Sequence, residues 1–279
     1  METCRHSGQT QVAAGFQSSK ISIKVDIMKL KEKMLNEHLY GCFIKMIDNP
    51  TINILAKDAG LDFLFYDNEH GMYSYDVLHN MILMGNNMGM PSFVRVPQLA
   101  RADVSKAVDC GASGVMVPMM ESAAQARQLV EWSKYPPIGI RSYSGGANTN
   151  YRPSGNHRSN MDELNDTVIT IAQVETKLGV ERVEEIAAVE GVDALIVGPA
   201  DLAISLGFPG DYMNAEELAA IDKVAAACKK YRKGFGIIGK LGLIEKYKND
   251  INFMVTKIDV DIVREGFIKA VKDYDGLYE

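Results

Sequence analysis

Short apolar runs alternate with amphipathic segments along almost the whole chain, and this alternation restricts the fold more than any other feature. The runs lie at residues 40–46, 62–67, 92–96, 113–118, 168–174, 193–198, 234–239 and 252–256. They read as strands of a parallel sheet buried on both faces. Between them, residues 53–59, 75–85, 101–109, 123–132, 180–189 and 215–232 carry apolar positions near a 3.6-residue period. A last helix is expected over 261–274. Strictly alternating strands and helices imply a parallel sheet joined by right-handed crossovers. Eight such units close into an α/β fold of the (β/α)8 TIM-barrel kind, with a doubly wound open sheet as the runner-up.

Local signals mark several helix ends. Ser122 with Gln125, and Asn214 with Glu217, have capping-box spacing. Gly234 follows the basic end of the 215–232 segment as a C-cap would. One connection, residues 139–166, is long and rich in Gly, Asn and Pro. Two readings stay open for it: a lid over the carboxyl-end face, or a surface excursion. Residues 1–27 are polar and unpatterned and lack the apolar core of a signal peptide. They are expected to be a disordered extension, with Met28 as an alternative start and residues 28–279 forming one barrel domain.

Composition excludes several partners. A net charge of −6 without a basic stripe argues against nucleic acid. No apolar run approaches the ~20 residues of a membrane span. Cys4, Cys42, Cys110 and Cys228 are scattered without metal-type spacing, as reduced thiols of a cytoplasmic protein would be.

The chemistry-bearing residues sit where the apolar runs end. Gln173-Val174-Glu175-Thr176 ends one run and Val197-Gly198-Pro199-Ala200-Asp201-Leu202 the next. In a barrel both carboxylates reach the carboxyl-end face, where active sites are built. Two carboxylates beside a Gln make an oxygen-rich site suited to Mg²⁺ or Mn²⁺. Amides following the Gly198-Pro199 turn point at the pocket and suit a substrate carboxylate. Phe65-Tyr66-Asp67-Asn68-Glu69-His70 ends another run, and His70 has the imidazole of a general base. Arg95 lies inside an apolar strand, which is costly unless it is paired or meets a ligand. A salt bridge to Asp67 and a role toward substrate are compatible. Pattern alone makes Asp109 only a helix-end residue. Lys45, Lys240 and Lys257 lie at or just past strand ends, where a buried lysine can form a Schiff base.

On these motifs the chain resembles the metal-dependent class II pyruvate aldolases. These are the family of 2,4-dihydroxyhept-2-ene-1,7-dioate and 2-keto-3-deoxy-sugar-acid aldolases, related to the citrate lyase β-subunit. The likeness spans residues 39–263. It adds Asp109-Cys110-Gly111-Ala112, Val117-Pro118-Met119 and Tyr135-Pro136-Pro137-Ile138-Gly139-Ile140-Arg141 to the motifs above. The resemblance implies a pyruvate-type barrel whose last helix packs on a neighbouring subunit, in a homo-oligomer assembled as a trimer of dimers. It implies Glu175 and Asp201 as ligands of a divalent metal (Mg²⁺, Mn²⁺ or Co²⁺). Gln173 would shape that site, and Gly198, Pro199, Ala200 and Asp201 would hold the carboxylate of a 2-oxo acid. It further implies Arg95 on the enolate oxygen, His70 paired with Asp109 for proton transfer, and Asp67 and Glu69 in support. The implied reaction is reversible cleavage of a 4-hydroxy-2-oxo acid to pyruvate and an aldehyde. Asn68, Ser142, Ala203 and Lys257-Ile258-Asp259 depart from the family pattern, which bears on substrate identity more than on reaction class. Two rivals remain: a Schiff-base aldolase using Lys240 or Lys257, and a barrel that binds a keto acid without turning it over.

Overall fold

A computed structural model describes residues 24–152 and 155–277. The apolar runs become strands β1 (Leu39–Ile44), β2 (Phe63–Asp67), β3 (Ser92–Arg95), β4 (Gly114–Val117), β5 (Ile169–Val174), β6 (Ala194–Val197), β7 (Gly234–Ile238) and β8 (Phe253–Ile258). They pair in parallel in sequence order and close with β8 on β1. The closed barrel therefore replaces the open-sheet alternative.

The helices are α1 (Lys24–Asn36), α2 (Ile52–Asp58), α3 (Tyr75–Met88), α4 (Arg101–Asp109), α5 (Ala123–Ser133), α6 (His157–Thr167), α7 (Lys177–Glu181), α8 (Val183–Ala187), α9 (Pro199–Leu206), α10 (Ala215–Tyr231), α11 (Leu241–Tyr247) and α12 (Asp259–Asp275). The expected extension over 1–27 lies largely outside the described residues. Its last four residues, 24–27, instead open α1.

Two apolar cores hold the molecule together. One lies between strands and helices. The other fills the barrel with Phe43, Phe63, Phe65, Phe93 and Phe253 against Ile169, Ile171 and Ile196. Phe63 stacks on Phe253 with ring centroids 4.1 Å apart. Each such side chain contributes roughly 1.5–3 kcal/mol by burial. Gly41 is what admits Phe63, because a Cβ there would lie 1.9 Å from its ring. Leu30 and Met34, one helical turn apart on α1, join this inner core and plug the amino end.

The long connection is not a lid over this chain's site. Helix α5 runs from the carboxyl end back toward the amino end, so the segment before β5 lies beneath the barrel. It folds into a short 3-10 turn (Ala147–Thr149) and α6. Lys134 donates to the Asn165 carbonyl at 2.7 Å and to that of Val168, just before β5. Asn165 in turn bonds both the amide and the carbonyl of Tyr135. The surface-excursion reading holds.

Three end signals differ in detail. Ser122 Oγ accepts from the Gln125 amide, but the Gln125 side chain receives the Glu121 amide rather than that of Ser122. Asn214 Oδ1 accepts from the Glu217 amide, whereas the Glu217 carboxylate is buried without a hydrogen-bond partner. Arg232, at φ 54°, caps α10, and Gly234 opens β7 instead. Helix α12 starts at Asp259, whose carboxylate accepts from the amides of Lys45, Met46 and Ile47. That one side chain ties the last helix to the loop after β1.

Candidate active site

Side chains alternate across a strand, so one polar residue at the end of an inward-facing row reaches the mouth of the barrel. Phe63 and Phe65 on β2 belong to the inner core, and Asp67 continues their row. Phe93 on β3 is followed in the same way by Arg95. Ile169 and Ile171 on β5 are followed by Gln173 and then Glu175. Asp67, Arg95, Gln173 and Glu175 are all at most 7% exposed. They form a polar layer above the phenylalanines at the carboxyl end.

Arg95 is held on two sides. Its Nε and one terminal nitrogen donate to the two oxygens of Asp67, at 2.8 and 2.7 Å. Asp67 and Arg95 are register partners on adjacent strands. The other terminal nitrogen lies 2.9 Å from Glu69, and the guanidinium sits 4.8 Å above the Phe43 ring. Burial works against the charge, but Asp67 and Glu69 more than restore it, so Arg95 is held above its ordinary range. Burial raises Glu69, outweighing the opposing pull of Arg95. His70 follows on an exposed turn, its Nε2 3.9 Å from Glu69. The structural reading of Arg95 therefore holds. Three of its five N–H groups face these carboxylates, leaving two for a ligand.

Glu175 is 2% exposed. Its Oε1 accepts from the Met119 amide at 2.8 Å and its Oε2 from Gln173 Nε2. Burial, with Asp201 and Glu69 nearby, pushes its carboxyl up to about 7. Gly198 makes room for it, since a Cβ there would fall 2.3 Å from Glu175 Oε2. Asp201 is exposed in the first turn of α9, two residues after Pro199. The oxygen of the Gln173 amide is buried with no partner. A buried carboxylate in want of positive charge, a second carboxylate and an orphaned amide oxygen fit a hard divalent cation. Among the described residues no three His, Cys, Asp or Glu side chains group closely enough to hold a metal alone. Two carboxylates leave the other positions to water and substrate, as Mg²⁺ commonly requires.

One expected member is elsewhere. Asp109 ends α4, the helix descending from β3, and lies near the amino end of β4. It pairs not with His70 but with Arg141, at 2.6 Å. The Arg141 side chain is 1% exposed and lies over the Tyr135 ring. Asp109 and His70 occupy opposite ends of one barrel, so a partnership between them requires two copies of the chain. The strand-end lysines are not buried. Lys240 is exposed above the Tyr212 ring, Lys257 is exposed and paired with Glu265, and Lys45 is half-buried. Sequence reasoning missed the contribution of the Met119 amide, the Arg141–Asp109 pair and the loop anchor Asp259. Arg141 and Met119 both lay within recognised motifs, but neither motif showed what these residues bond.

Comparison with known proteins agrees with this geometry. Residues 39–242, more than half of the chain, match the HpcH/HpaI aldolase/citrate lyase family. A 4-hydroxy-4-methyl-2-oxoglutarate aldolase of Chaetomium globosum is 33% identical, over 79% of this chain and 84% of its own length. A hydroxypyruvate/pyruvate aldolase of Roseovarius nubinhibens is 32% identical, over 80% and 86%. The crystal structure of an HpcH/HpaI aldolase from Desulfitobacterium hafniense superposes with a TM-score of 0.82 at 30% identity, covering 88% of this chain and 95% of that one. With the closed barrel and its polar mouth, these matches show that the chain belongs to the HpcH/HpaI aldolase/citrate lyase family and is a carbon–carbon lyase of the 2-oxo-acid aldolase type.

Proposed function

We propose that the carboxyl-end mouth cleaves a 4-hydroxy-2-oxo acid to pyruvate and an aldehyde, reversibly, with a divalent cation held by Glu175 and Asp201. The observation that carries this reading is the buried, doubly hydrogen-bonded Glu175 beside the unpartnered oxygen of Gln173. A bound Mg²⁺, Mn²⁺ or Co²⁺ supplies Lewis-acid stabilisation of charge developing on the keto oxygen.

The remaining roles belong to the chain. Gln173 orients Glu175 and offers its free oxygen to water. The amides after Gly198, at Ala200 and Asp201, receive the substrate carboxylate at the start of α9. Arg95, braced by Asp67 and Glu69, presents its remaining N–H groups to the enolate oxygen without reorganising. His70 moves a proton to or from the aldehyde or alkoxide oxygen. Asp109 serves the His70 of a second copy, which makes the active unit a homo-oligomer. The apolar surface of α12 supports assembly: Phe267, Val271 and Tyr274 are 70%, 60% and 68% exposed. We place the enzyme in the cytoplasm, as free buried thiols at Cys42, Cys110 and Cys228 suggest.

A Schiff-base lysine is usually activated by desolvation or a neighbouring cation. The exposure of Lys240 and Lys257 argues against that route. A coupled assay for pyruvate release from a 4-hydroxy-2-oxo acid decides between the two chemistries. Release abolished by EDTA and restored by Mn²⁺, with no adduct trapped by borohydride, supports the metal-dependent reading. EDTA-insensitive release with a trapped adduct overturns it. Binding without release favours the non-catalytic barrel.

A further inference from the structure

The turn after β4 holds Met119 at φ 52°, a region that residues with a side chain seldom adopt. Pro118-Met119-Met120 contains neither the Gly nor the Asn that usually fills such a position. The conformation aims two successive amides at the end of β5. The Met119 amide donates to Glu175 Oε1 at 2.8 Å, and the Met120 amide donates to the Gln173 backbone carbonyl at 3.0 Å. The Met119 side chain is 49% exposed, so core packing does not demand it.

Gln173 occupies the other oxygen of Glu175. Each carboxylate oxygen therefore engages one donor and keeps one lone-pair direction free. Without the Met119 amide, the carboxylate would be steered from one side only. Its rotation about the last side-chain bond would then be restrained by Gln173 alone.

We propose that Met119 is a positioning residue whose left-handed backbone, not its side chain, clamps the Glu175 carboxylate in the orientation that receives the divalent cation. This rests on the metal reading above. Substitution separates backbone from side chain. Glycine adopts positive φ freely, whereas a β-branched residue is a genuine outlier there.

The test is Mn²⁺ binding to the full-length protein, followed by electron paramagnetic resonance, for wild type, Met119→Gly and Met119→Ile. Circular dichroism and thermal melts establish that each variant is folded. Met119→Gly should bind within about threefold of wild type. Met119→Ile should bind at least about tenfold more weakly, because a β-branched side chain resists positive φ more than the unbranched methionine does. Equal affinity in Met119→Ile, or an equal loss in Met119→Gly, overturns the proposal. Amide hydrogen exchange over residues 119–120, without metal, reads the clamp itself. It should be slow in wild type and Met119→Gly and faster in Met119→Ile, and unchanged exchange in Met119→Ile counts against the clamp. Wild type that shows the slow exchange but binds no Mn²⁺ overturns the metal reading, and with it the purpose assigned to Met119.

Discussion

At the amino end of the barrel Lys134 is 2% exposed, yet its ammonium is surrounded by acceptors. The carbonyls of Asn165 and Val168 receive it, and Asp193 lies 3.9 Å away. At the carboxyl end Glu175 is equally buried, but the amide oxygen of Gln173 beside it has no partner and its carboxyl is pushed up to about 7, mainly by burial. Both ends bury polar groups, which is costly unless hydrogen bonds compensate. At the amino end Lys134 finds its partners within the chain and links the end of α5 to the entry of β5, although burial still pulls its ammonium down to about 7. The carboxyl end is compensated only in part. The free Gln173 oxygen and the two carboxylates support the cation we propose between Glu175 and Asp201. Lys134, partnered within the chain, serves stability, and the free oxygen of Gln173 beside two carboxylates is where we propose a ligand.

Substitutions at the two ends should therefore separate activity from stability. The largest effect is expected from Glu175→Ala. It should remove several kcal/mol of transition-state stabilisation, about a thousandfold or more in kcat, and abolish Mn²⁺ binding. Its melting curve should stay close to that of wild type. An active Glu175→Ala enzyme would erase the contrast between the two ends. Next comes Arg95→Lys, which keeps a charge but cannot grip Asp67 with two parallel bonds. Steady-state kinetics should show kcat lower by about a hundredfold, with Mn²⁺ affinity unchanged.

The amino end should respond in the opposite way. Lys134→Met leaves the Asn165 and Val168 carbonyls unsatisfied. Urea denaturation should report a loss of about 2–3 kcal/mol, while kcat per folded molecule is retained. A kcat defect in this variant would couple the ends that the structure keeps apart.

The smallest effect concerns Glu217, buried on α10 without a partner. Burial, then Asp211, raises its carboxyl from 4.5 to about 7. The unfolded chain therefore releases this proton at lower pH than the folded one. Its contribution to stability falls as pH rises from about 4.5 to 7 and is level above that. Glu217→Gln should match wild type near pH 4.5 and exceed it by about 1 kcal/mol at pH 8 in denaturant titrations. Parallel stability curves at the two pH values would show that Glu217 finds a partner in solution.

Much of this contrast was legible in the residue order. Continuous apolar runs separated by helical periods left the closed parallel barrel as the leading arrangement. The polar residues at the ends of the apolar runs could be picked out, so Asp67, Arg95, Gln173 and Glu175 were candidates before their shared inward rows were visible. The end of the barrel occupied by a helix terminus was harder to read. The resemblance pairs Asp109 with His70, but a helix returning from β3 finishes at the opposite end, so within one chain the two do not meet. The 139–166 connection was open to misreading for the same reason: it follows a descending helix and lies below the barrel. Met119 lay in a recognised motif, but a methionine does not announce a left-handed backbone, so its bond to Glu175 was not legible.

If the carboxyl-end site generates an enolate from a 2-oxo acid with the help of a divalent cation, the methyl protons of pyruvate will exchange in D₂O, as NMR with Mg²⁺ or Mn²⁺ and again with EDTA will show. Exchange should proceed with metal, stop with EDTA, and be absent in Glu175→Ala and Asp201→Ala. Exchange that persists in EDTA, or in either variant, would contradict the assignment of the metal site. No exchange under any condition would contradict pyruvate as the donor.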